Sequence, residues 1–270
     1  MPGGGEMEER LRAYEERKKR IKERLSKVKK RIVVFSGKGG VGKTSVAVNL
    51  AYAVKLLGKT TGLLDADITG PNVPKMIGLQ ERPIAEQDEI IPLEKDGVKV
   101  ISIGSMIPPD TPVIWRGPLR SSALQQFLGD VRWGELDILI ADLPPGTGDE
   151  VLTMAQEMEP DMAIIVTTPQ DVSLIDSARA VNMARQLEVP RIGVVENMSG
   201  LICPHCGKEI DLFGKGGGKR EAERLGVEFL GAVPLDIKAR ELADKGIPVV
   251  LHEPDSPFSR AIKEIAEKIV

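Results

Sequence analysis

The chain has 270 residues, of which 41% are hydrophobic and 29% are charged. This composition allows a sizeable core and excludes wholesale disorder, a collagen-like chain and a disulfide scaffold. The formal net charge of -3 gives no basic excess that would require nucleic acid or an anionic membrane as a partner. The two cysteines, Cys203 and Cys206, share one short run, so one chain cannot complete a site that needs four thiolates.

The N-terminus lacks the basic and then apolar pattern of a signal peptide, and no run of about 18 apolar residues occurs. We therefore expect a cytoplasmic protein with reduced thiols. Residues 6–30 predict a charged helix with eleven basic and six acidic residues and a thin apolar stripe. Such an arm could bind a partner or nucleic acid, but a solvated helix lying on its own or a partner subunit is favoured. We assign residues 1–30 to this arm.

From residue 31 to residue 270, β-branched runs alternate with helical patterns, which is typical of βαβ units. We predict one doubly wound α/β domain, a mostly parallel sheet of seven to eight strands flanked by helices. The predicted strands lie near Ile32–Phe35, Thr61–Leu64, Val98–Ile103, Ile138–Ala141, Ala163–Thr167, Arg191–Val195 and Glu228–Ala232. The predicted helices lie near Lys43–Leu57, Leu119–Leu128, Glu150–Met158, Val172–Leu187, Gly218–Leu225, Ile237–Asp244 and Pro257–Ile269.

Two stretches fit this alternation poorly and are predicted as irregular. Residues 70–95 contain four prolines and show no clear period. Residues 197–217 contain the cysteines and a glycine-rich run, and we assign them as an insertion in the domain. Long irregular segments in compact α/β domains are more often functional than idle.

A phosphate-binding loop follows the first predicted strand and opens a helix. It comprises Gly37, Lys38, Gly39, Gly40, Val41, Gly42, Lys43 and Thr44, with Ser45 directly after it. Glycines let backbone N–H groups surround phosphate oxygens, Lys43 neutralises the β and γ phosphates, and Thr44 offers its hydroxyl to Mg²⁺. Lys38 is an additional cation that the general motif does not require. The sequence therefore predicts a nucleotide site for ATP and Mg²⁺, and predicts hydrolysis.

Acidic residues end two further predicted strands. Asp65 and Asp67 follow the second strand, where their carboxylates could hold Mg²⁺-bound waters and orient an attacking water. Asp142 ends an apolar strand, as a Walker B strand requires, and the segment from Asp142 to Gly146 looks like a switch that senses the γ-phosphate. Aspartate at a strand end is often only a turn or a cap, so these roles depend on the phosphate-binding loop beside them.

The run Cys203-Pro204-His205-Cys206 supplies two thiolates from one turn. It suits half a zinc site or one edge of an iron–sulfur cluster, while a redox dithiol and two idle thiols are weaker alternatives. Twofold symmetry doubles two cysteines to four, enough for one [4Fe–4S] cluster or one Zn²⁺ on a dimer axis. We leave His205 out of the ligand set because it lies between the two thiolates.

Taken together, the motifs resemble the Mrp/ApbC family of P-loop iron–sulfur cluster carrier ATPases, within the MinD/ParA-like group that has a deviant Walker A motif. The matching blocks are GKGGVGKT (37–44), DADITGPNVP (65–74), WRGP (115–118), DLPPGTGD (142–149), TTPQDVSL (167–174), ENMSGLICPHCG (196–207) and GAVPLD (231–236).

The resemblance implies roles that the residues alone do not give. It implies a homodimer in which Lys38 reaches the nucleotide of the partner subunit, and adenine recognition by Asn197 and by backbone near Pro234. It makes Asp67 the water-activating catalytic residue beside Lys38 and Lys43, and Asp65 a second-shell magnesium group. It favours a cluster, with Zn²⁺ a possible substitute, that is passed to apo-proteins.

The chain departs from relatives that carry a four-cysteine N-terminal segment or a small N-terminal domain, so we expect no second cluster site. A positioning ATPase similar to MinD or ParA and an ATP-dependent reductase similar to the nitrogenase iron protein remain as alternatives. The C-terminal helix bears on the first alternative, since its apolar face carries balanced charges and predicts core packing and not a membrane anchor.

Overall fold

The computed structural model describes residues 4–68, 70–87, 89–106, 117–203 and 205–270, with the backbone alone for residues 4–7, 10, 11 and 117–121. The helices are α1 (Gly4–Leu25), α2 (Lys43–Leu56), α3 (Val73–Ile77), α4 (Gly117–Gly129), α5 (Asp149–Met158), α6 (Asp171–Gln186), α7 (Gly217–Leu225), α8 (Ile237–Asp244), α9 (Val249–His252) and α10 (Pro257–Ile269). The strands are β1 (Val28–Phe35), β2 (Thr61–Asp65), β3 (Ile84–Glu86), β4 (Glu89–Ile91), β5 (Leu93–Lys95), β6 (Val98–Ser102), β7 (Leu136–Asp142), β8 (Met162–Thr167), β9 (Arg191–Ile202), β10 (Glu209–Ile210) and β11 (Glu228–Leu235). A single 3-10 turn covers Ile103–Ser105.

Nine strands form one sheet in the order β10-β9-β8-β1-β7-β2-β6-β5, with β11 also paired to β9. All pairs are parallel except the two that add β5 and β10, which are antiparallel. This confirms the α/β prediction of a mostly parallel, doubly wound sheet. The sheet has one strand more than the largest predicted number, because the short strands β5 and β10 carry too few residues to show a sequence period.

The sheet is buried on both faces, which explains the continuous apolar runs of its strands. Every residue of β8 is buried, and the same holds for β2. One core contains side chains of α2, α8, α9 and α10, and the other contains side chains of α4, α5 and α6. In α10 the side chains of Ile262, Ile265 and Ile269 are fully buried, as the predicted core-packing helix requires.

The charged N-terminal helix contacts its own domain near its end, as the favoured interpretation allows. Ile21 and Leu25 are almost fully buried in the core beneath α4, and Arg24 pairs with Glu89. The last turns of α1 therefore pack on the domain, whereas Tyr14 earlier in the helix is exposed. Strand β1 begins at Val28, four residues before its predicted start, and runs across the assigned boundary between residues 30 and 31.

The two stretches predicted as irregular contain short elements. Between residues 70 and 95 lie α3, the hairpin of β3 with β4, and β5. Between residues 197 and 217, β9 continues to Ile202 and pairs with β10, so the cysteines sit at the turn of a β-hairpin. Thr69, Pro204 and residues 115 and 116 of the predicted motifs lie outside the described residues.

Candidate functional site

The phosphate-binding loop leaves the carboxyl end of β1, the central strand between β7 and β8, and enters α2. Gly42 occupies the position that begins α2, with φ of 78°. A Cβ atom there would lie 2.3 Å from the side-chain nitrogen of Asn197. Both the left-handed backbone and this close approach require glycine. The loop thus opens its backbone N–H groups at a helix N-terminus, where phosphate binds favourably.

Lys43 and Thr44 are held by one carboxylate. The Nζ atom of Lys43 lies 2.6 Å from Oδ1 of Asp142, and the Thr44 hydroxyl donates to Oδ2 at 2.7 Å. Asp142 is fully buried, and this burial raises its pKa even though Lys43 and Thr44 favour the charged form. The Walker B aspartate therefore orients both side chains that the motif assigns to phosphate and metal.

Asp65 and Asp67 lie beside this pair at the end of β2. Asp65 is fully buried, accepts a hydrogen bond from Ser102 at 2.8 Å, and receives weaker bonds from the backbone of Asp67 and Val73. Burial, followed by the charge of Asp142, raises the pKa of Asp65 to about 8. Asp67 accepts a bond from the Gly70 N–H at 3.1 Å and keeps 9% of its surface exposed.

Lys43, Thr44 and Asp67 border one cavity of about 410 Å³. Its wall also contains residues to which the sequence had given no role at this site. They are Ser36, Asn72, Lys75 and Met76 near the loop and α3, and Ala243 and Asp244 of α8. Their contribution arises from the packing of α3 and α8 over the loop, which has no local sequence signal.

The hydroxyl of Thr44 and the carboxylate of Asp67 border the cavity and are hard oxygen donors of the kind that Mg²⁺ prefers. Asp65, Asp67 and Asp142 influence one another electrostatically, and Lys43 is the cation among them. Since Asp65 and Asp142 are fully buried and do not line the cavity, their arrangement suits contact with a metal through water.

Ser36 joins the phosphate-binding loop to the segment that contains Gly146. The Ser36 hydroxyl donates to the Lys38 carbonyl at 2.7 Å, and the Gly146 N–H donates to the Ser36 carbonyl at 2.9 Å. Lys38 is half-exposed as a whole residue, and its ammonium group forms no hydrogen bond or ion pair with the residues that the structure describes.

Asn197 and Pro234 lie on neighbouring strands, β9 and β11. Asn197 is buried, and its side-chain nitrogen donates to the Val41 carbonyl at 2.8 Å. Pro234 follows Val233, the register partner of Asn197. Neither residue lines the cavity. Adenine recognition by these residues stays a prediction, while the structure gives Asn197 a direct contact with the phosphate-binding loop.

The cysteine pair lies in the turn between β9 and β10. The Cys203 N–H donates to the Lys208 carbonyl at 2.9 Å, and the Gly207 N–H donates back to the Cys203 carbonyl at 2.9 Å. Both thiols are free, Cys206 is exposed and Cys203 is half-exposed. Hydrogen bonds to sulfur from the backbone of His205 and of Cys206 lower the pKa of the Cys203 thiol. The turn therefore favours the thiolate that a metal or cluster requires.

One described chain supplies no further ligand to this pair. Among the described residues, no group of three or more His, Cys, Asp or Glu side chains could hold a metal ion. A four-thiolate site therefore needs two more ligands from another molecule. Separately, none of the helices in the described part of the chain is both long and apolar enough to cross a membrane.

Comparison with known proteins places these features in context. The family model described as ParA, NUBPL iron-transfer P-loop NTPase, matches residues 27–270. A protein named iron-sulfur cluster carrier protein, from Pyrococcus horikoshii, is 54% identical over 252 residues, which cover 89% of this chain and 85% of that protein.

Solved structures agree on the fold. A nucleotide-binding protein from Archaeoglobus fulgidus, in complex with ADP, has a TM-score of 0.78 and 40% identity and covers 88% of this chain and 94% of that one. The cell division ATPase MinD of Pyrococcus furiosus has a TM-score of 0.66 at 24% identity, covering 89% of this chain and 98% of that one. This second likeness concerns the fold alone.

Proposed function

Because the chain belongs to the family of NUBPL iron-transfer P-loop NTPases, we propose that it is an ATP-hydrolysing carrier that accepts an iron–sulfur cluster and passes it to apo-proteins. The observation that carries this proposal is the cysteine hairpin, which presents two thiols at the surface of a chain that also contains a phosphate-binding loop. An exposed site suits transfer of a cargo better than its permanent storage.

The cargo is a [4Fe–4S] cluster held between two copies of the chain, with Zn²⁺ able to take the same thiolates. Each copy contributes Cys203 and Cys206, and a twofold axis makes the four ligands of such a cluster. The lowered pKa of the Cys203 thiol supports ligation, since the thiolate is the form that binds.

Nucleotide chemistry takes place in the cavity bordered by Lys43, Thr44 and Asp67. Backbone N–H groups of the loop bind the phosphates, Lys43 neutralises the charge on the β and γ phosphates, and Asp67 accepts a proton from the attacking water. Thr44 is the residue that would hold Mg²⁺ directly, and Asp65 and Asp142 would hold it through water. When bound, Mg²⁺ supplies additional neutralisation of phosphate charge.

Lys38 extends the nucleotide site to a second copy. Its ammonium group has no partner among the described residues, and in a homodimer it reaches the phosphates bound by the other copy. ATP and the cluster then both favour the dimer. Asn197 and the backbone at Pro234 contact adenine in this arrangement.

Anaerobic reconstitution with iron and sulfide tests the carrier function. The wild-type protein is expected to take up one [4Fe–4S] cluster per dimer, seen by absorption and Mössbauer spectra, and to transfer it to an apo-ferredoxin. Cys203→Ser and Cys206→Ser should each abolish uptake, while Glu221→Gln, which retains both thiols, serves as the control for loading. No cluster signal, or a signal unaffected by either cysteine substitution, would contradict the proposal.

A further inference from the structure

Glu196 is a buried carboxylate to which the proposed function gives no role. It lies on β9, seven residues before Cys203, and its side chain is fully buried. Three donors surround it, the Ser199 hydroxyl at 2.5 Å, the Gly216 N–H at 2.9 Å and the Gly218 N–H at 2.5 Å. A buried carboxylate is stable only when such donors satisfy it, so these bonds fix its position.

The three donors belong to two different segments. Ser199 is in β9, at the base of the cysteine hairpin, whereas Gly216 and Gly218 begin α7. The positive end of α7 adds a favourable dipole for the carboxylate. A Cβ atom at position 218 would lie 2.9 Å from the Cβ of Glu196, so glycine is needed for this approach. Glu196 therefore joins the hairpin base to a helix that packs in the core.

A second carboxylate joins the same two segments at the surface. Glu209, in β10, pairs with Lys215 in the glycine-rich loop before α7. Both side chains are about half exposed, so solvent screens this pair and its contribution is small. The buried connection through Glu196 is the stronger of the two.

The residue after Glu196 reaches the nucleotide site. Asn197 donates to the Val41 carbonyl in the phosphate-binding loop, and the Met198 methyl group lies beside the same loop at Gly42. Of two neighbouring residues in β9, Glu196 therefore contacts the base of the cysteine hairpin and Asn197 contacts the phosphate-binding loop.

We propose that Glu196 is a positioning residue for the cluster site: its buried carboxylate holds the base of the cysteine hairpin against the start of α7 and so fixes the direction of both thiolates. The inference rests on the proposed function, because a cluster shared by two copies needs four thiolates that converge. It goes beyond that function in naming a residue that touches neither cluster nor nucleotide.

The hairpin also has internal hydrogen bonds. They hold its local conformation, whereas Glu196 holds its orientation relative to α7. The backbone bonds between Cys203 and its partners Lys208 and Gly207 do not involve Glu196, and neither do the N–H groups that lower the pKa of the Cys203 thiol. Loss of Glu196 should therefore leave the reactivity of the thiol unchanged and weaken cluster binding. Partners that orient metal ligands typically affect affinity by about ten-fold to 100-fold.

The test compares Glu196→Gln with wild type, since glutamine has the same shape but places an NH₂ group toward one of the backbone donors. Ser199→Ala is the milder second variant, because it removes the bond to the hairpin and keeps both bonds to α7. Glu221→Gln, at a buried glutamate of α7 that pairs with Arg224, is the matched control. Each protein is loaded anaerobically, and two measurements follow: the half-time of cluster loss to an iron chelator and the pH profile of Cys203 alkylation in the apo-protein.

We expect cluster loss to become roughly ten-fold faster in Glu196→Gln and about three-fold faster in Ser199→Ala, with Glu221→Gln equal to wild type. The alkylation profile should be the same in all four proteins. Wild-type kinetics in both Glu196→Gln and Ser199→Ala would overturn the proposal, and so would an alkylation profile that shifts together with cluster loss. If Glu196→Gln does not fold, Ser199→Ala decides. Failure of the wild-type protein to load would instead contradict the proposed function.

Discussion

The nucleotide site and the cysteine hairpin differ in how far one chain completes them. At the nucleotide site, Asp65 and Asp142 are fully buried, Lys43 is 6% exposed, and each has partners from the same chain. At the hairpin, Cys206 is exposed and the described chain supplies no third ligand. Packing within one copy therefore fixes the side chains of the nucleotide site, whereas the cysteine hairpin needs further ligands from another molecule.

Lys43→Ala tests whether the two regions are independent. Loss of the cation that neutralises the β and γ phosphates should lower the rate of ATP hydrolysis by on the order of 100-fold to 1,000-fold. Cluster loading without nucleotide should stay at the wild-type level, because the ammonium group of Lys43 pairs with Asp142 and with no described residue of the hairpin. Phosphate release and cluster absorbance measure the two effects. The control is Lys55→Ala, at the far end of the same helix, and a parallel loss of cluster loading would contradict the independence of the regions.

Asp67→Asn separates binding from chemistry within the nucleotide site. The carboxylate borders the cavity beside Lys43, and without it the attacking water loses its proton acceptor. Hydrolysis should fall by roughly 100-fold while the Kd for ATP changes by no more than a few-fold. Isothermal titration and single-turnover hydrolysis distinguish the two quantities. Asp244→Asn, at another carboxylate of the cavity wall, is the matched control and should keep the wild-type rate.

The sequence predicted the parts of the nucleotide site that depend on local chemistry. Glycine, lysine and threonine at fixed spacing identify the loop, and aspartates at strand ends follow from the parallel sheet. It could not predict Lys75 or Asp244 in the cavity wall, because α3 and α8 meet there through tertiary packing. The strand β5 was missed for a related reason, since three residues are too short to show a period.

At the hairpin, the sequence predicted the two cysteine ligands but not the buried carboxylate that contacts the base of the hairpin. Two cysteines with no others in the chain predict a shared site by counting alone. Glu196 lay in the matching block ENMSGLICPHCG but received no role, because the sequence does not show which donors surround its carboxylate. The turn of the hairpin was likewise predicted as irregular, since β10 has two residues.

Lys38→Ala tests the one place where the nucleotide site is proposed to need a second copy. Removal of an ammonium group that contacts phosphate across the dimer should weaken ATP-dependent dimerisation about ten-fold. Binding of ATP to the monomer should change less, because the remaining loop stays intact. Sedimentation velocity with and without ATP measures the association. Lys75→Ala is the matched control, and equal dimerisation in Lys38→Ala and wild type would make the nucleotide site complete in one chain.

Asp65→Asn tests whether the raised pKa of this buried carboxyl group makes the stability of the protein depend on pH. The pKa of Asp65 is about 8 in the folded chain, against roughly 3.9 for an unfolded aspartate, so the folded state binds an additional proton between these values. The free energy of unfolding of the wild type should therefore fall as the pH rises through this window. Asparagine cannot ionise, so between pH 6 and 7 the wild type should lose about 1 kcal/mol more than Asp65→Asn. Urea unfolding at both pH values measures the difference, and parallel curves would show that the carboxyl group is already ionised in the folded chain.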